Sequence, residues 1–353
     1  MESNSLSRVF HIDTLRGVAI LMMLQGHFID TLLIDEDRVT IAHAVWKFCR
    51  GLTSPVFFTT SGVIIVHLLL RKKDVSYRQS RLKKSFWRAL EVLMWAYVLR
   101  FSFWPFFLEG ELTTEFWRVD VLNCIAVGLL LVGLFYFISN KIHDNLFRLM
   151  LLAVALAAFL LQPWYMALDY SAWPIPLSNY FSQANGSVFT LFPFLGFMFA
   201  GGFIGSLYTV LYERNKMVFV VGLLIFGIFL STYSSPLFHE LYVRTNINLF
   251  RQIIMDNWFI KLGFVLCLYA FFVFAEPLMA QLKTINLLGQ YTLTVYIIHF
   301  FILYGAIFGL GIDDLLFKKR SLPAEYVIPC ALIFVVLTGW LTLRYHKWKD
   351  AHF

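Results

Sequence analysis

His27 and His299 are two of nine histidines, and each lies deep inside an apolar stretch long enough to cross a membrane. A neutral imidazole so placed can take a proton from a hydroxyl or amine, or attack an activated acyl group itself. A carboxylate beside it fixes its tautomer; Asp30, three residues after His27, and Asp120 are the candidates for that part. Arg118 and Asn123 are residue types that stabilise an oxyanion or hold a substrate carboxylate. His43 adds an imidazole in the polar stretch after the first apolar run. Plainer readings stand beside these. Asp30 and Arg118 read equally as interfacial charges, His43 as a surface residue, and His299 as a core partner of Tyr296. Arg100 is either an interface residue or an anion binder.

His27 belongs to the stretch DTLRGVAILMMLQGHFID from Asp13 to Asp30. At 100° per residue, Asp13, Arg16 and His27 share one face of a helix. Holding such groups in hydrocarbon costs on the order of 3 kcal/mol each, so a helix that keeps them turns them toward protein, water or a site. Asp13 and Arg16 are expected at the inner end, as an i,i+3 pair that anchors the helix or as groups facing a cytoplasmic donor. His27 lies roughly 16 Å further along the same stripe.

The composition suits membrane-length elements. Of 353 residues, 59% are hydrophobic and only 14% charged, with a mean hydropathy of +0.70. That balance excludes an ordinary soluble domain. The expected fold is all-α, a polytopic membrane helical bundle of about ten transmembrane helices in a single domain spanning 1–353. The apolar runs fall at about 12–34, 51–70, 89–108, 117–138, 147–163, 188–212, 217–234, 257–282, 287–309 and 325–345. Arg100 then falls midway along the third run, and Arg71 to Arg88 forms a basic loop before it. The net charge of +7 resembles a nucleic-acid signal until it is mapped. With both termini cytoplasmic, inner Lys and Arg residues outnumber outer ones by roughly two to one, as the positive-inside rule requires. Nucleic acid is therefore not an expected partner; membrane lipids are. The cysteines, Cys49, Cys124, Cys267 and Cys330, have no ligand-like spacing, so neither a metal site nor a disulfide framework is expected. The first apolar run has no cleavage site after it and is expected to remain as the first span. Gly201-x-x-x-Gly205 is read as a helix-packing motif.

On this topology, His27 and His299 reach similar depths in the outer half, roughly 22 and 18 Å from the inner end. Arg118, Asp120 and Asn123 lie near the outer end of the fourth span, and His43 follows the first span. These groups are expected to converge in the outer half of the bundle.

Several segments resemble those of a known family. HIDTLRGVAILMMLQGHFID looks like the opening helix of the heparan-α-glucosaminide N-acetyltransferase-like multi-span membrane acyltransferases and their bacterial relatives. SPVFFTTSG at 54–62, RVDVLNCIAVGLLLV at 118–132, LFPFLGFMFAGGFIG at 191–205 and LLGQYTLTVYIIH at 287–299 follow in matching order. The resemblance implies transfer of an acyl group, acetyl in that family, from cytoplasmic acetyl-CoA to a sugar amine or hydroxyl across the membrane. It places His27 where the family has a catalytic His or Asn, and likens His43, in HAVW, to the loop histidine that acts as acyl acceptor or base. Asp120 and Asn123 match a polar DVLxxI segment, and His299 a late polar position. Envelope O-acyltransferases share the Arg-Gly to His opening, so N- and O-acylation both remain open.

The expected catalytic groups are thus His27, His43, His299 and Asp120, with Asp13, Arg16, Arg118, Asn123 and Arg100 binding donor or acceptor. The expected partners are lipid, acyl-CoA and a sugar or glycan, with a homo-oligomer left open and a bacterial cytoplasmic membrane as location. A proton-coupled transporter or glycan or lipid flippase is the alternative, in which the same polar groups line a path. Inverted repeats would favour it, and none is visible in the sequence.

Overall fold

The helices follow from apolar runs punctuated by caps and glycines. The computed structural model describes residues 9–139 and 143–352. Most of the polar lead, including Arg8, lies outside the described residues, as does Lys141. The longer helices in chain order are α1 (Phe10–Leu32), α2 (Ile41–Gly51), α3 (Thr53–Leu70), α4 (Val75–Val98), α5 (Val121–Ser139), α6 (Asp144–Leu160), α7 (Leu191–Ser206), α8 (Lys216–Thr245), α9 (Asn248–Asp256), α10 (Trp258–Phe274), α11 (Lys283–Gln290), α12 (Thr292–Tyr304) and α13 (Ala324–His352). Side-chain caps set several starts. Thr40 accepts from the His43 amide before α2, Asp74 from Tyr77 before α4, and Asn215 from Met217 and Val218 before α8, each satisfying amides a helix N-terminus leaves open. Left-handed residues set several ends: Asn246 after α8, Asn257 after α9 and Gly305 after α12. Extended pairing is limited, among the described residues, to an isolated parallel bridge between Leu33 and Leu322.

Six helical stretches among the described residues are long and apolar enough to cross a bilayer, or seven if the bent pair α11–α12 is one crossing. The difference from ten has identifiable sources. In α1 the apolar run is diluted by Asp13, Arg16, Gln25, His27 and Asp30. With 17 residues, α6 is shorter than the roughly 20 that a full crossing needs. Nor is the basic segment a loop. From Val75 onward it forms the first half of α4, because Asp74 caps the helix well before its apolar half begins. That helix ends at Val98, so Arg100 lies past its C-terminus and not midway along a span. Likewise α8 runs on to Thr245, through residues expected to be a loop.

The chain divides into two compact units, Met1–Thr53 with Leu268–Phe353, and Ser54–Cys267. In the first, α1 lies against α11, α12 and α13, burying Ile12, Leu15, Ile20, Leu24 and Phe28 along one side. In the second, α7 packs against α6 and α5, and α5 also against α4. There α3 and α7 approach at backbone contact. A Cβ on Gly62 would strike the Met198 carbonyl, one on Gly201 the Thr59 carbonyl, and one on Gly205 the Val63 carbonyl. The Gly201-x-x-x-Gly205 spacing is the small-residue packing motif.

An ion pair fixes one end of the second unit. Arg78 donates from both terminal nitrogens to the Asp144 carboxylate, at 3.0 and 3.1 Å. That guanidinium holds the Asp144 carboxyl below its ordinary value.

Two outcomes follow. Gly201→Ala should lower stability by about 1–3 kcal/mol, the usual cost of overpacking a tight contact, read as a lower unfolding temperature in detergent; an unchanged temperature would refute the backbone contact. Asp144 is depressed in the folded protein, so its contribution is complete above the unfolded carboxylate value of roughly 3.9 and is lost as pH falls through the lower folded value. Being partly solvent-screened, the pair should contribute no more than about 1 kcal/mol. The gap in unfolding temperature between parent and Asp144→Asn should therefore be widest near neutrality and close below about pH 4; a gap that is constant with pH would contradict it.

Candidate functional site

In the first unit, the geometry begins at a break. Helix α11 ends at Gln290, and α12 starts at Thr292 after turning by 80°. A break leaves helix-end carbonyls and amides without their usual partners, and α1 supplies polar groups to both sides of it. Asp13 accepts from Gln290 Nε2 at 3.1 Å, and Arg16 donates to Thr292 Oγ1 at 2.7 Å. Gly289 packs on the carbonyl of Asp13, and Gly17 on that of Ile285, so the backbones touch where a Cβ could not fit. Around this point His346 of α13 stacks on Tyr291 with ring centroids 3.5 Å apart and meets the Thr294 hydroxyl at 3.0 Å. One helical turn earlier, Thr14 bonds the buried Asn286, and His11 meets Glu276 at 2.7 Å. Asp13 and Arg16 therefore position α12.

That positioning determines what α12 presents. His299 is fully buried, and its ring lies 5.3 Å from that of His27, tilted by 39°. Tyr304, the last residue of α12, places its hydroxyl 3.0 Å from His27 Nδ1 and 3.4 Å from the Thr31 hydroxyl. Tyr296 packs edge-on to His299 at 4.8 Å. When the phenol donates to Nδ1, the proton of a neutral His27 sits on Nε2; when it accepts, Nε2 carries the lone pair. The pair is thus an imidazole couple in which a phenol bears on the tautomer of His27. Tyr304 escaped the sequence reading because a tyrosine at a helix end looks like an interfacial aromatic.

Helix α2 adds a further imidazole to this unit, that of His43. Trp46 Nε1 donates to Gln25 Oε1 of α1 at 2.9 Å, and the His43 ring packs on Trp46 at 5.2 Å. His43 Nε2 is buried with no hydrogen-bond partner among the described residues. His43 is therefore a helical residue whose ring nitrogen is withdrawn from solvent, not one in a wet loop. The Asp30 carboxylate is engaged by Arg50 and, at 3.8 Å, by Arg38. Arg38 also donates to the Asp30 and Leu33 carbonyls at 2.7 and 2.9 Å, satisfying the end of α1.

In the second unit, the remaining residues gather at the start of α5. Arg100 donates to Asp120 Oδ2 at 2.8 Å, while Oδ1 accepts from the Val121 amide at 2.7 Å. Asn123 Oδ1 accepts from the Asp120 amide at 2.9 Å, the reach-back half of a capping box. Arg118 donates to Glu115 at 3.0 Å and has its Nε buried against Gly186. Nearby, Tyr180 and Tyr97 share a hydrogen bond of 3.0 Å, and burial pushes the Tyr180 phenol well above its ordinary value, keeping it protonated. The loop before α7 is tied in by side chains: Asn185 Nδ2 donates to Ser178 and Asn179, and Ser187 accepts from the Val119 amide. Among the described residues, no three His, Cys, Asp or Glu side chains gather as a metal site.

Membrane-length apolar helices together with a buried imidazole couple define a polytopic membrane protein with a titratable site. Residues 8–220, more than half of the chain, match the family described as "Heparan-alpha-glucosaminide N-acetyltransferase, catalytic", and the chain belongs to that transferase family. No curated protein matches it. His27, His43 and all four residues gathered at α5 lie within the matched part, whereas His299 and Tyr304 lie beyond it.

Asp30→Ala should cost about 1–3 kcal/mol of stability, the range for hydrogen bonds to charged groups, since it leaves Arg50 without its carboxylate and Arg38 with Asp35 alone. Thermal unfolding in detergent measures it, and a parent-like value would show that the cluster does not hold α2 to α1.

Proposed function

We propose that this chain is an integral-membrane acetyltransferase moving an acetyl group from cytoplasmic acetyl-CoA to a sugar or glycan, an amine being favoured over a hydroxyl by the family description. The observation that carries the proposal is the His27–His299 couple, 5.3 Å between rings, with Tyr304 on Nδ1 of His27. One imidazole takes the proton of the acceptor N–H or O–H as the acceptor attacks the thioester carbon. The carbon–sulfur bond then breaks, and the departing thiolate takes up that proton. In the covalent variant an imidazole attacks first, forming an acyl-imidazole and free thiol, and the acceptor then displaces it. His43, with its buried and unbonded Nε2, is suited to either part. In this proposal Asp120, Arg118, Asn123 and Arg100 bind or stabilise charge on donor or acceptor. Asp13 and Arg16 act through the α11–α12 break, at the end nearer the donor.

The proposed setting is a bacterial cytoplasmic membrane, with both termini inside and about ten crossings formed by the apolar stretches together with α1, α4 and α6. The roughly two-to-one excess of inner Lys and Arg supports that orientation. A homo-oligomer is compatible with it.

One observation favours a second reading, a proton-coupled transporter or glycan flippase: the 80° break between α11 and α12, since broken helices build many transport sites. Purified protein given labelled acetyl-CoA and a glucosaminide acceptor should form labelled product. His27→Ala should lower the rate by about 100-fold, the low end for a lost general acid–base group. Full activity in that variant removes the assigned role. Substrate uptake by proteoliposomes lacking any acyl donor would establish transport instead.

A further inference from the structure

Within the second unit, a groove of about 390 Å³ runs between α4 and the end of α5, inside the range of roughly 300–1,000 Å³ typical of small-molecule sites. Leu82 and Phe86 form one wall and Tyr136 and Phe137 the other, with Arg78 at the head and Lys83 on the rim. The walls are apolar and open outward: Phe86 is 49% and Phe137 61% exposed, and the adjacent Trp87 is 60% exposed.

The head of the groove is already neutralised. Arg78 is held by Asp144 and donates to the Tyr136 hydroxyl at 3.3 Å. The rim is not. Between Arg71 and Arg88 the chain carries eight basic residues and one acidic residue, Asp74. Arg88 pairs with Glu91, and Lys72 and Arg81 lie over the Tyr77 ring at 5.3 and 5.1 Å. Among the described residues, neither Lys83 nor Lys84 joins an ion pair, and both are exposed. An apolar trough with uncommitted ammonium groups at its edge complements a molecule with a hydrocarbon tail and an anionic head. The groove also lies where the basic first half of α4 passes into its apolar half, the level at which a bilayer offers such molecules.

From these features we infer that the α4–α5 groove is a binding site for an anionic phospholipid. One acyl chain lies between Leu82, Phe86 and Phe137, and the phosphate is held by Lys83 and Lys84. This site is independent of the imidazole couple and of the acetyl-transfer reading.

Native mass spectrometry of the full chain in detergent, with phosphatidylglycerol or phosphatidylcholine added, tests it. The parent should retain phosphatidylglycerol in preference to phosphatidylcholine. Lys83→Gln with Lys84→Gln should reduce that preference by about fivefold per lysine. Gln79→Trp, which places bulk in the groove, should lower retention of both lipids. Unfolding temperatures of both variants should match the parent, and a second filling variant, Gln79→Phe, serves if Gln79→Trp does not fold. Equal retention of the two lipids by the parent overturns the proposal, as does an undiminished preference in the double variant. So does displacement of the lipid by excess inorganic phosphate, which would indicate an anion site without a chain groove.

Discussion

The first unit depends on the turn at Tyr291. A straight continuation of α11 would carry α12 along another line, and neither His299 nor Tyr304 would reach α1. The turn is held open from one side by Asp13 and Arg16, which grip the residues just before and just after it. From the other side it is closed by the flat stack of His346 on Tyr291. Ionisable groups at one end of α1 thereby fix the spacing of imidazoles toward its other end. The helix carries out two tasks on one stripe, and the polar groups that make it a poor hydrophobic span make it a good alignment rod.

The second unit uses its polar residues differently. Asp120 and Asn123 close the start of α5 on themselves, with Arg100 as the countercharge. A capped and paired carboxylate is held in one rotamer, which suits a group that must present fixed charge. It also ties α5 to the residues just past α4, whose helix stops short of Arg100. Glycines set the distance between α3 and α7 and leave that contact intolerant of added volume.

Much of this was legible in the residues. Periodicity and composition gave an all-helical membrane chain, and the Arg-Gly to His opening with its companion segments pointed to the family that the comparison identifies. His27 and His299 were readable as a pair because similar depth on two helices can be counted from helix ends. What could not be counted was contact. Tyr304 as the partner of His27 depends on the 80° turn, which no apolar window reveals, since hydropathy averages over a bend. A count of ten takes each apolar run as a crossing, whereas six of the described stretches, or seven with the bent pair, are long and apolar enough on their own. In helix α4 a capping aspartate before a basic stretch extends a helix where charge alone suggests a loop.

The first unit draws on both ends of the chain, and this has a consequence for synthesis. His27 and Tyr304 are separated by 277 positions, so at roughly 5–20 residues per second the imidazole waits on the order of 10–60 s for its phenol. Through that interval Asp13 and Arg16 also lack the turn they hold, because it has not been made. Helix α1, which leaves the ribosome long before α12, is therefore among the last to settle, and a chain stalled before α12 presents the quality-control machinery with an unsatisfied polar face.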